Sequence, residues 1–126
     1  MKTILVTGSS GFIGFHTAQR LLKEGFCVIW YDNENNYYDV NLKISRRTLL
    51  EQYDNFSFYK ADIESEIDLK TVFEENKIDI IINLAAQVGV RNSLLNPAAY
   101  ISTNIVGFSL LIELAKIYEV KKFIYA

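Results

Sequence analysis

Short apolar runs alternate along the chain with stretches of helical period. The runs predict five buried strands, at Thr3–Thr7, Cys27–Tyr31, Phe56–Lys60, Asp79–Asn83 and Lys122–Tyr125. The other stretches predict four helices: one after Gly14 with Phe15, Ala18, Leu21 and Leu22 on one face, then about Val40–Tyr53, Ile67–Asn76 and Asn96 to about Tyr118. This alternation predicts an α/β fold, a doubly wound parallel sheet of strand order 3-2-1-4-5, with residues 1–126 forming one domain.

Capping and turn residues mark where these elements begin and end. Gly25 closes the first helix, Asp39 and Ser65 are the expected N-caps of the second and third, and Pro97 fits the first turn of the fourth. The chain stops on the fifth strand, which leaves that edge without a covering helix. We therefore expect an N-terminal portion truncated after the fifth strand, with the remaining strands and a substrate domain absent.

Composition excludes several classes of function. The 13 basic and 15 acidic residues, with no Lys/Arg run longer than two, lack the footprint of nucleic-acid binding. No apolar stretch approaches the roughly 18 residues of a membrane span, and one histidine with one cysteine cannot form an ordinary metal site. The single Cys27, interpreted as a buried strand residue rather than a reactive thiol, suits a reducing compartment. We expect a cytoplasmic protein with no metal.

Three glycines follow the first strand at the spacing Gly8-x-x-Gly11-x-x-Gly14. They open a helix, and Asp32 follows Gly14 by 18 residues at the end of the next strand. This arrangement is typical of dinucleotide binding in Rossmann folds, where glycines permit a sharp turn and close approach to a pyrophosphate at a helix N-terminus. A glycine-rich turn without a ligand is the alternative.

Asp32 decides which dinucleotide the sequence favours. Its carboxylate can accept hydrogen bonds from a ribose diol and would repel the 2′-phosphate of NADP, and no arginine follows it at once. The predicted cofactor is NAD. A solvated loop carboxylate is the other interpretation of Asp32.

Several segments resemble one known superfamily. Thr7–Gly14, Asp62-Ile63 and Asn83–Ala86 resemble the glycine motif, the adenine-side acidic position and the fourth-strand motif of extended short-chain dehydrogenases/reductases. Within that superfamily, three further stretches are similar to UDP-glucuronate 4-epimerases: Asp32–Lys43, Ala85–Arg91 and Asn96–Gly107. The resemblance covers the whole chain.

Carried over by position, the resemblance implies a set of binding residues. The glycine turn with Gly8 and Gly14 would place the backbone of Gly11, Phe12 and Ile13 at the pyrophosphate. The adenosine side would be contacted by Asp32, Asn33, Asp62 and Ile63. The nicotinamide side would be contacted by Leu84, Ala85, Ala86 and Asn104. Gln87 and Arg91 would face the sugar nucleotide, although a solvated surface role for Arg91 stays open.

No catalytic residue is assigned within the chain. In the family a tyrosine, a lysine four residues later and a Ser or Thr act after the fifth strand. Tyr118 and Lys122 match that spacing, but Lys122 starts a strand, at the end of the sheet away from ligands. His16, early in the first helix, is interpreted as a packing or surface residue rather than a general base.

The resemblance implies that the intact enzyme inverts C4 of a UDP-sugar, UDP-glucuronate to UDP-galacturonate, through a 4-keto intermediate. The fragment alone is expected to be inactive. The alternatives are a sugar-nucleotide 4,6-dehydratase or reductase of the same superfamily, and a non-catalytic stand-alone NAD-binding module. Related enzymes dimerise through the region of the long fourth helix, so a homodimer is expected for the intact protein.

Overall fold

All five predicted strands lie in one parallel sheet. The structure is a computed structural model that describes residues 1–8, 12–33, 40–84, 97–98 and 102–125. The strands are β1 Thr3–Thr7, β2 Cys27–Asp32, β3 Phe56–Lys60, β4 Ile80–Asn83 and β5 Lys122–Tyr125. Their order is β3-β2-β1-β4-β5 and each neighbouring pair is parallel, which confirms the predicted fold.

Helices connect the strands and cover both faces of the sheet. They are α1 Phe12–Lys23, α2 Val40–Leu50, α3 Glu66–Glu75 and α4 Phe108–Ile117, the last preceded by a π-helical turn at Ser102–Gly107. Among the described residues, no helix combines the length and the apolar character that crossing a bilayer requires.

Side chains alternate between the two faces of the strands and build two apolar layers. Leu5, Ile29 and Ile81 point to the layer formed with α3 and α4. Val6 and Trp30 point to the layer formed with α1 and α2. Because β1 is central and covered on both sides, its residues from Ile4 to Thr7 are all at most 2% exposed.

Two predicted helix boundaries are wrong. Helix α2 ends at Leu50 rather than near Tyr53, because Tyr53 N–H bonds to the Leu50 carbonyl at 3.0 Å in a three-residue turn. The predicted long fourth helix is not one regular α-helix, since in its described part residues 97–98 are α-helical, Ser102–Gly107 form a π-helical turn, and α4 starts at Phe108, directly after Gly107. Glycine has low helix propensity, which fits a change of helix type there.

The predicted capping residues that lie in the described segments are confirmed. Gly25 has φ +92°, the left-handed geometry that glycine adopts readily after a helix. Ser65 accepts a hydrogen bond from the Asp68 N–H at 3.4 Å and caps α3. Asp39, the expected cap of α2, lies outside the described residues.

Cys27 is less buried than predicted. It lies in β2, but it is the first residue of that strand and only half-buried. Its Sγ lies 3.1 Å from the Met1 Sδ at the amino end of the sheet. The strand end leaves one side of this thiol open, which is why an apolar sequence context overestimated its burial.

Gly107 allows the fourth helix to approach the segment that follows β3. A Cβ atom on Gly107 would lie 2.6 Å from Cγ2 of Ile63, a side chain only 5% exposed. No flexible side-chain end occupies that position, so a larger residue would have to displace packed core atoms.

Gly107→Ala is therefore expected to destabilise the protein, whereas glycine-to-alanine changes inside helices usually stabilise by roughly 1 kcal/mol. Overpacking costs about 1–3 kcal/mol, so after subtracting the helix-propensity gain we expect a net loss centred on about 1 kcal/mol, and at most about 2 kcal/mol, in the free energy of unfolding measured with urea. Ser109→Ala, at an exposed position of α4, is the control and should stay within about 0.5 kcal/mol. An alanine variant as stable as the original would contradict the packing argument.

Candidate functional site

The carboxyl ends of β1, β2 and β4 meet at one edge of the sheet. In the strand register Thr7 pairs with Tyr31 on one side and with Asn83 on the other. Ligands in open α/β sheets bind beyond this edge, where the strand order reverses. Here that reversal falls between β1 and β4, so the candidate site lies above Thr7.

The turn after β1 has the conformation that the glycine spacing predicts. Gly8 has φ +73°, in the left-handed region, and its N–H donates to the Tyr31 carbonyl at 3.0 Å. Helix α1 then begins at Phe12, with Gly14 buried and the Ile13 side chain 63% exposed. The first turn of α1 therefore places N–H groups that have no acceptor within the helix, and its positive dipole end, close to the sheet edge.

A buried polar pair joins the ends of β1 and β4. The Thr7 hydroxyl donates to Oδ1 of Asn83 at 2.5 Å, and the Leu84 N–H donates to the Thr7 carbonyl at 3.0 Å. Thr7 is fully buried and Asn83 is 6% exposed. Both residues lie inside sequence motifs without a predicted role of their own, although a polar residue at the end of an apolar strand is a signal for such a pair.

The predicted adenosine-side residues form a second cluster at the ends of β2 and β3. Asn33 Nδ2 donates to Oδ1 of Asp62 at 2.7 Å, and Ala61 N–H donates to the carbonyl of the half-buried Asp32 at 3.2 Å. Asn33, Lys60, Ala61 and Asp62 line an open cleft of about 270 Å³. The structure thus brings together Asn33 and Asp62, which are 29 residues apart in the chain.

The walls of this cleft carry hydrogen-bonding and charged side chains. Carboxylate and amide oxygens accept hydrogen bonds, which suits the two hydroxyls of a ribose. Asp32 ends β2 directly opposite Lys60 in the register, so a cation also lies on the rim. Lys60 is not among the binding residues predicted from the sequence.

Tyr31 forms a hydrogen bond to the backbone of the segment that carries Asp62. Its hydroxyl donates to the Asp62 carbonyl at 2.6 Å, and that carbonyl also accepts the Ser65 N–H at 3.1 Å. The Tyr31 side chain is 1% exposed. Burial, followed by the charges of Asp68, Asp62 and Glu64, raises the pKa of the Tyr31 hydroxyl well above its ordinary value of 10.0.

Two other predicted contact residues turn their side chains into the protein. Ile63 is 5% exposed and belongs to the apolar layer with α3 and α4, which leaves its backbone for any contact with a base. Leu84 is half-buried and packs on the layer with α1 and α2. Asn104 lies in the π-helical turn.

Five predicted binding residues lie outside the described part of the chain: Gly11, Ala85, Ala86, Gln87 and Arg91.

Lys43 is a buried charged residue that was not among the candidates predicted from the sequence. It lies in the first turn of α2 and is 7% exposed, an unusual degree of burial for a lysine.

The two residues rejected as catalytic candidates lie where the sequence placed them. Lys122 pairs with Ile80 at the amino end of β4, whereas the site lies at the opposite end, beside Asn83 and Tyr125. His16 is exposed on α1, with its ring in edge-to-face contact with Phe15 at a centroid distance of 5.1 Å.

A left-handed glycine turn leading into a helix, followed by an acidic residue at the end of the next parallel strand, defines a Rossmann domain of the dinucleotide-binding class. The sequence profile of the family described as GDP-mannose 4,6 dehydratase matches residues 5–126. The chain belongs to this family, within the extended short-chain dehydrogenases/reductases, which confirms the superfamily predicted from the motifs.

Similar proteins include epimerases and a dehydratase. A UDP-glucuronate 4-epimerase of Thermodesulfobacterium geofontis is 48% identical over 126 residues, all of this chain and 39% of that protein. A UDP-glucuronic acid 4-epimerase mutant of Bacillus cereus, solved with UDP-4-deoxy-4-fluoro-glucuronic acid and NAD, is 35% identical with a TM-score of 0.88, over 98% of this chain and 39% of that one. The dTDP-glucose 4,6-dehydratase of Bacillus anthracis, solved with NAD, is 27% identical with a TM-score of 0.81, over 99% of this chain and 37% of that one.

These matches agree with two of the predictions. The similarity to UDP-glucuronate 4-epimerases is confirmed, and the two solved relatives named here were both obtained with NAD, in agreement with the predicted cofactor. The chain spans about two fifths of the length of the UDP-glucuronate 4-epimerase it matches at 48% identity.

The raised pKa of Tyr31 predicts a loss of stability in alkali. Above pH 10 the unfolded chain releases this phenolic proton while the folded chain keeps it, so the free energy of unfolding falls as pH rises toward the folded pKa. One such group contributes a slope of about 1.4 kcal/mol per pH unit. Tyr31→Phe should reduce the slope by up to that amount in urea unfolding between about pH 10 and pH 12, and should leave it unchanged near pH 8.

Tyr125→Phe is the matched control, since the Tyr125 side chain is 65% exposed. We expect it to leave the alkaline slope unchanged. A slope that is the same in Tyr31→Phe and the original protein would contradict the assignment.

Proposed function

We propose that this chain is the NAD-binding portion of a nucleotide-sugar 4-epimerase that acts on UDP-glucuronate. The observation that carries the proposal is the pairing of two clusters at one sheet edge, the Gly8 turn before α1 and the Asn33–Asp62 contact beside Asp32. The identity of 48% to a UDP-glucuronate 4-epimerase supports the substrate.

Each predicted residue then has a role in holding the cofactor. The N–H groups of Gly11, Phe12 and Ile13 face the pyrophosphate, where the dipole of α1 favours negative charge. Asp32 accepts hydrogen bonds from the adenosine ribose, and Asn33 donates hydrogen bonds to it or accepts them from it. Asp62 contacts the adenine. The nicotinamide side is held by Leu84, Ala85, Ala86 and Asn104, with Gln87 and Arg91 toward the sugar nucleotide.

NAD supplies a reversible acceptor for the hydride from C4 of the sugar. The described residues of this chain bind and orient it, and we propose that they do not perform the proton transfer. Neither His16 on the outer surface of α1 nor Lys122 at the amino end of β5 lies at the site. We therefore propose that the 126-residue chain binds NAD without epimerising a sugar, as the N-terminal portion of a longer cytoplasmic enzyme.

A 4,6-dehydratase is the second candidate. The match to the GDP-mannose 4,6 dehydratase family and the similarity to a dTDP-glucose 4,6-dehydratase both favour it. Both reactions begin with oxidation at C4, so the same cofactor site would serve either enzyme, and the difference lies in what happens to the 4-keto sugar.

Asp32→Ala is expected to weaken NAD binding by about tenfold or more, since a hydrogen bond to a charged group contributes about 1.5–3 kcal/mol. It should also reduce the preference for NAD over NADP, because the repulsion of the 2′-phosphate is removed. Calorimetric titration with each dinucleotide measures both effects. An unchanged ratio of NAD to NADP affinity would contradict the role of Asp32.

Asp54→Ala is the control for lost charge. Asp54 is an exposed carboxylate between α2 and β3, at the amino end of the sheet. It should bind NAD as the original chain does, so a comparable loss in this variant would show that net charge rather than Asp32 sets the affinity.

The sugar reaction is tested on the intact protein that carries this chain. Incubation with NAD and UDP-glucuronate should give UDP-galacturonate, resolved by chromatography. Conversion of a nucleotide hexose to its 4-keto-6-deoxy form, with no epimer produced, would favour the dehydratase.

The same preparation tests the proposed homodimer. Ile105 and Ile112 are 62% and 43% exposed in the π-helical turn and α4, an apolar surface that supports association of two copies. Sedimentation should give a dimer mass, and a monomer mass at every concentration would rule the dimer out.

A further inference from the structure

A buried strand side chain forms a hydrogen bond to the backbone of the segment after β3 that carries Asp62. The Tyr31 hydroxyl reaches the Asp62 carbonyl across 2.6 Å, although the residues are 31 positions apart. The same carbonyl accepts the Ser65 N–H and so closes the turn that leads to the N-cap of α3. One oxygen therefore joins β2, the turn and the start of a helix.

This attachment fixes the part of the chain that lines the cleft. Asp62 presents its side chain to Asn33 at 2.7 Å and, with Lys60 and Ala61, forms the cleft wall. On the other side of the segment, Ile63 is packed against Gly107. The backbone of Asp62 and Ile63 is thus held by the hydrogen bond from the Tyr31 hydroxyl and by the apolar packing of the Ile63 side chain against Gly107.

We propose that Tyr31 is a positioning residue for the adenosine end of the dinucleotide, acting through the Asp62 carbonyl rather than by touching the ligand. The inference rests on the proposed cofactor function. The hydroxyl is suited to the task because the Tyr31 side chain is 1% exposed, which limits competition from water. Burial and the neighbouring carboxylates raise the pKa of this hydroxyl, so it stays protonated and remains a donor at neutral pH.

A neighbouring tyrosine provides a matched control. Tyr59 pairs with Tyr31 in the register of β2 and β3 and packs against the same apolar layer. Its hydroxyl is also hydrogen-bonded, but to Glu75 at 2.7 Å and Asn76 at 3.1 Å, beside the end of α3. Removing either hydroxyl deletes one hydrogen-bond donor from the same layer, although the Tyr59 donor is the more exposed of the two, and of these two hydroxyls the one that bonds to the cleft wall is that of Tyr31.

The test compares Tyr31→Phe and Tyr59→Phe with the original chain, titrated with NAD and with AMP and followed by the amide resonances in NMR spectra. The spectra also report that each variant is folded. AMP carries the adenosine groups that the cleft would hold, so Tyr31→Phe should weaken AMP and NAD by the same factor, about threefold to tenfold. Tyr59→Phe should change neither affinity by more than about twofold.

A purely structural role for the Tyr31 hydroxyl would lower the free energy of unfolding and leave the affinity of the folded chain unchanged. Original affinity in folded Tyr31→Phe therefore overturns the inference while leaving the cofactor proposal intact. Equal weakening in both variants overturns it as well. If the original chain binds neither NAD nor AMP, the cofactor proposal itself fails and this inference fails with it.

Discussion

The parallel pairing of β1 with both β2 and β4 is the constraint on which the rest of the molecule depends. It buries β1 on two faces and two edges, and it brings the ends of three strands to one line at Thr7. A parallel sheet has all its carboxyl ends on one side, so loops that are distant in sequence converge there. The turn at Gly8 and the cluster around Asp62 therefore lie at the same edge of the sheet.

Most of the fold could be predicted because burial patterns in this chain are local and strong. Four-residue and five-residue apolar runs gave the strands to within a residue, and Gly25 and Ser65 gave two helix ends. The end of α2 was not predicted because the residues after Leu50 have a helical composition. In the structure the Tyr53 N–H bonds to the carbonyl three residues earlier, at Leu50, rather than four residues earlier. The π-helical turn was missed because it has no distinctive period in sequence.

The sequence motifs predicted which residues form the candidate site, but not the hydrogen bonds and packing that hold those residues in place. The glycine spacing and Asp32 at the end of β2 indicate a turn that binds a dinucleotide. The resemblance to short-chain dehydrogenases/reductases added Asp62. The hydrogen bond from Tyr31 to the Asp62 carbonyl could not be inferred, because it joins a strand side chain to a backbone atom 31 residues away. Ile63 shows the same limit, since a motif position that resembles a ligand contact turned out to bury its side chain in the core.

The Thr7–Asn83 hydrogen bond has a consequence for how the chain reaches its native state. These residues are 76 positions apart, so β1 and β4 can pair only after a long loop has been closed, at a cost in chain entropy that local contacts do not repay. The β1–β2 unit closes over a much shorter loop and can form earlier. The edge above Thr7 is therefore assembled late in folding, and a ligand seated there would favour the completed sheet over partly folded states by mass action.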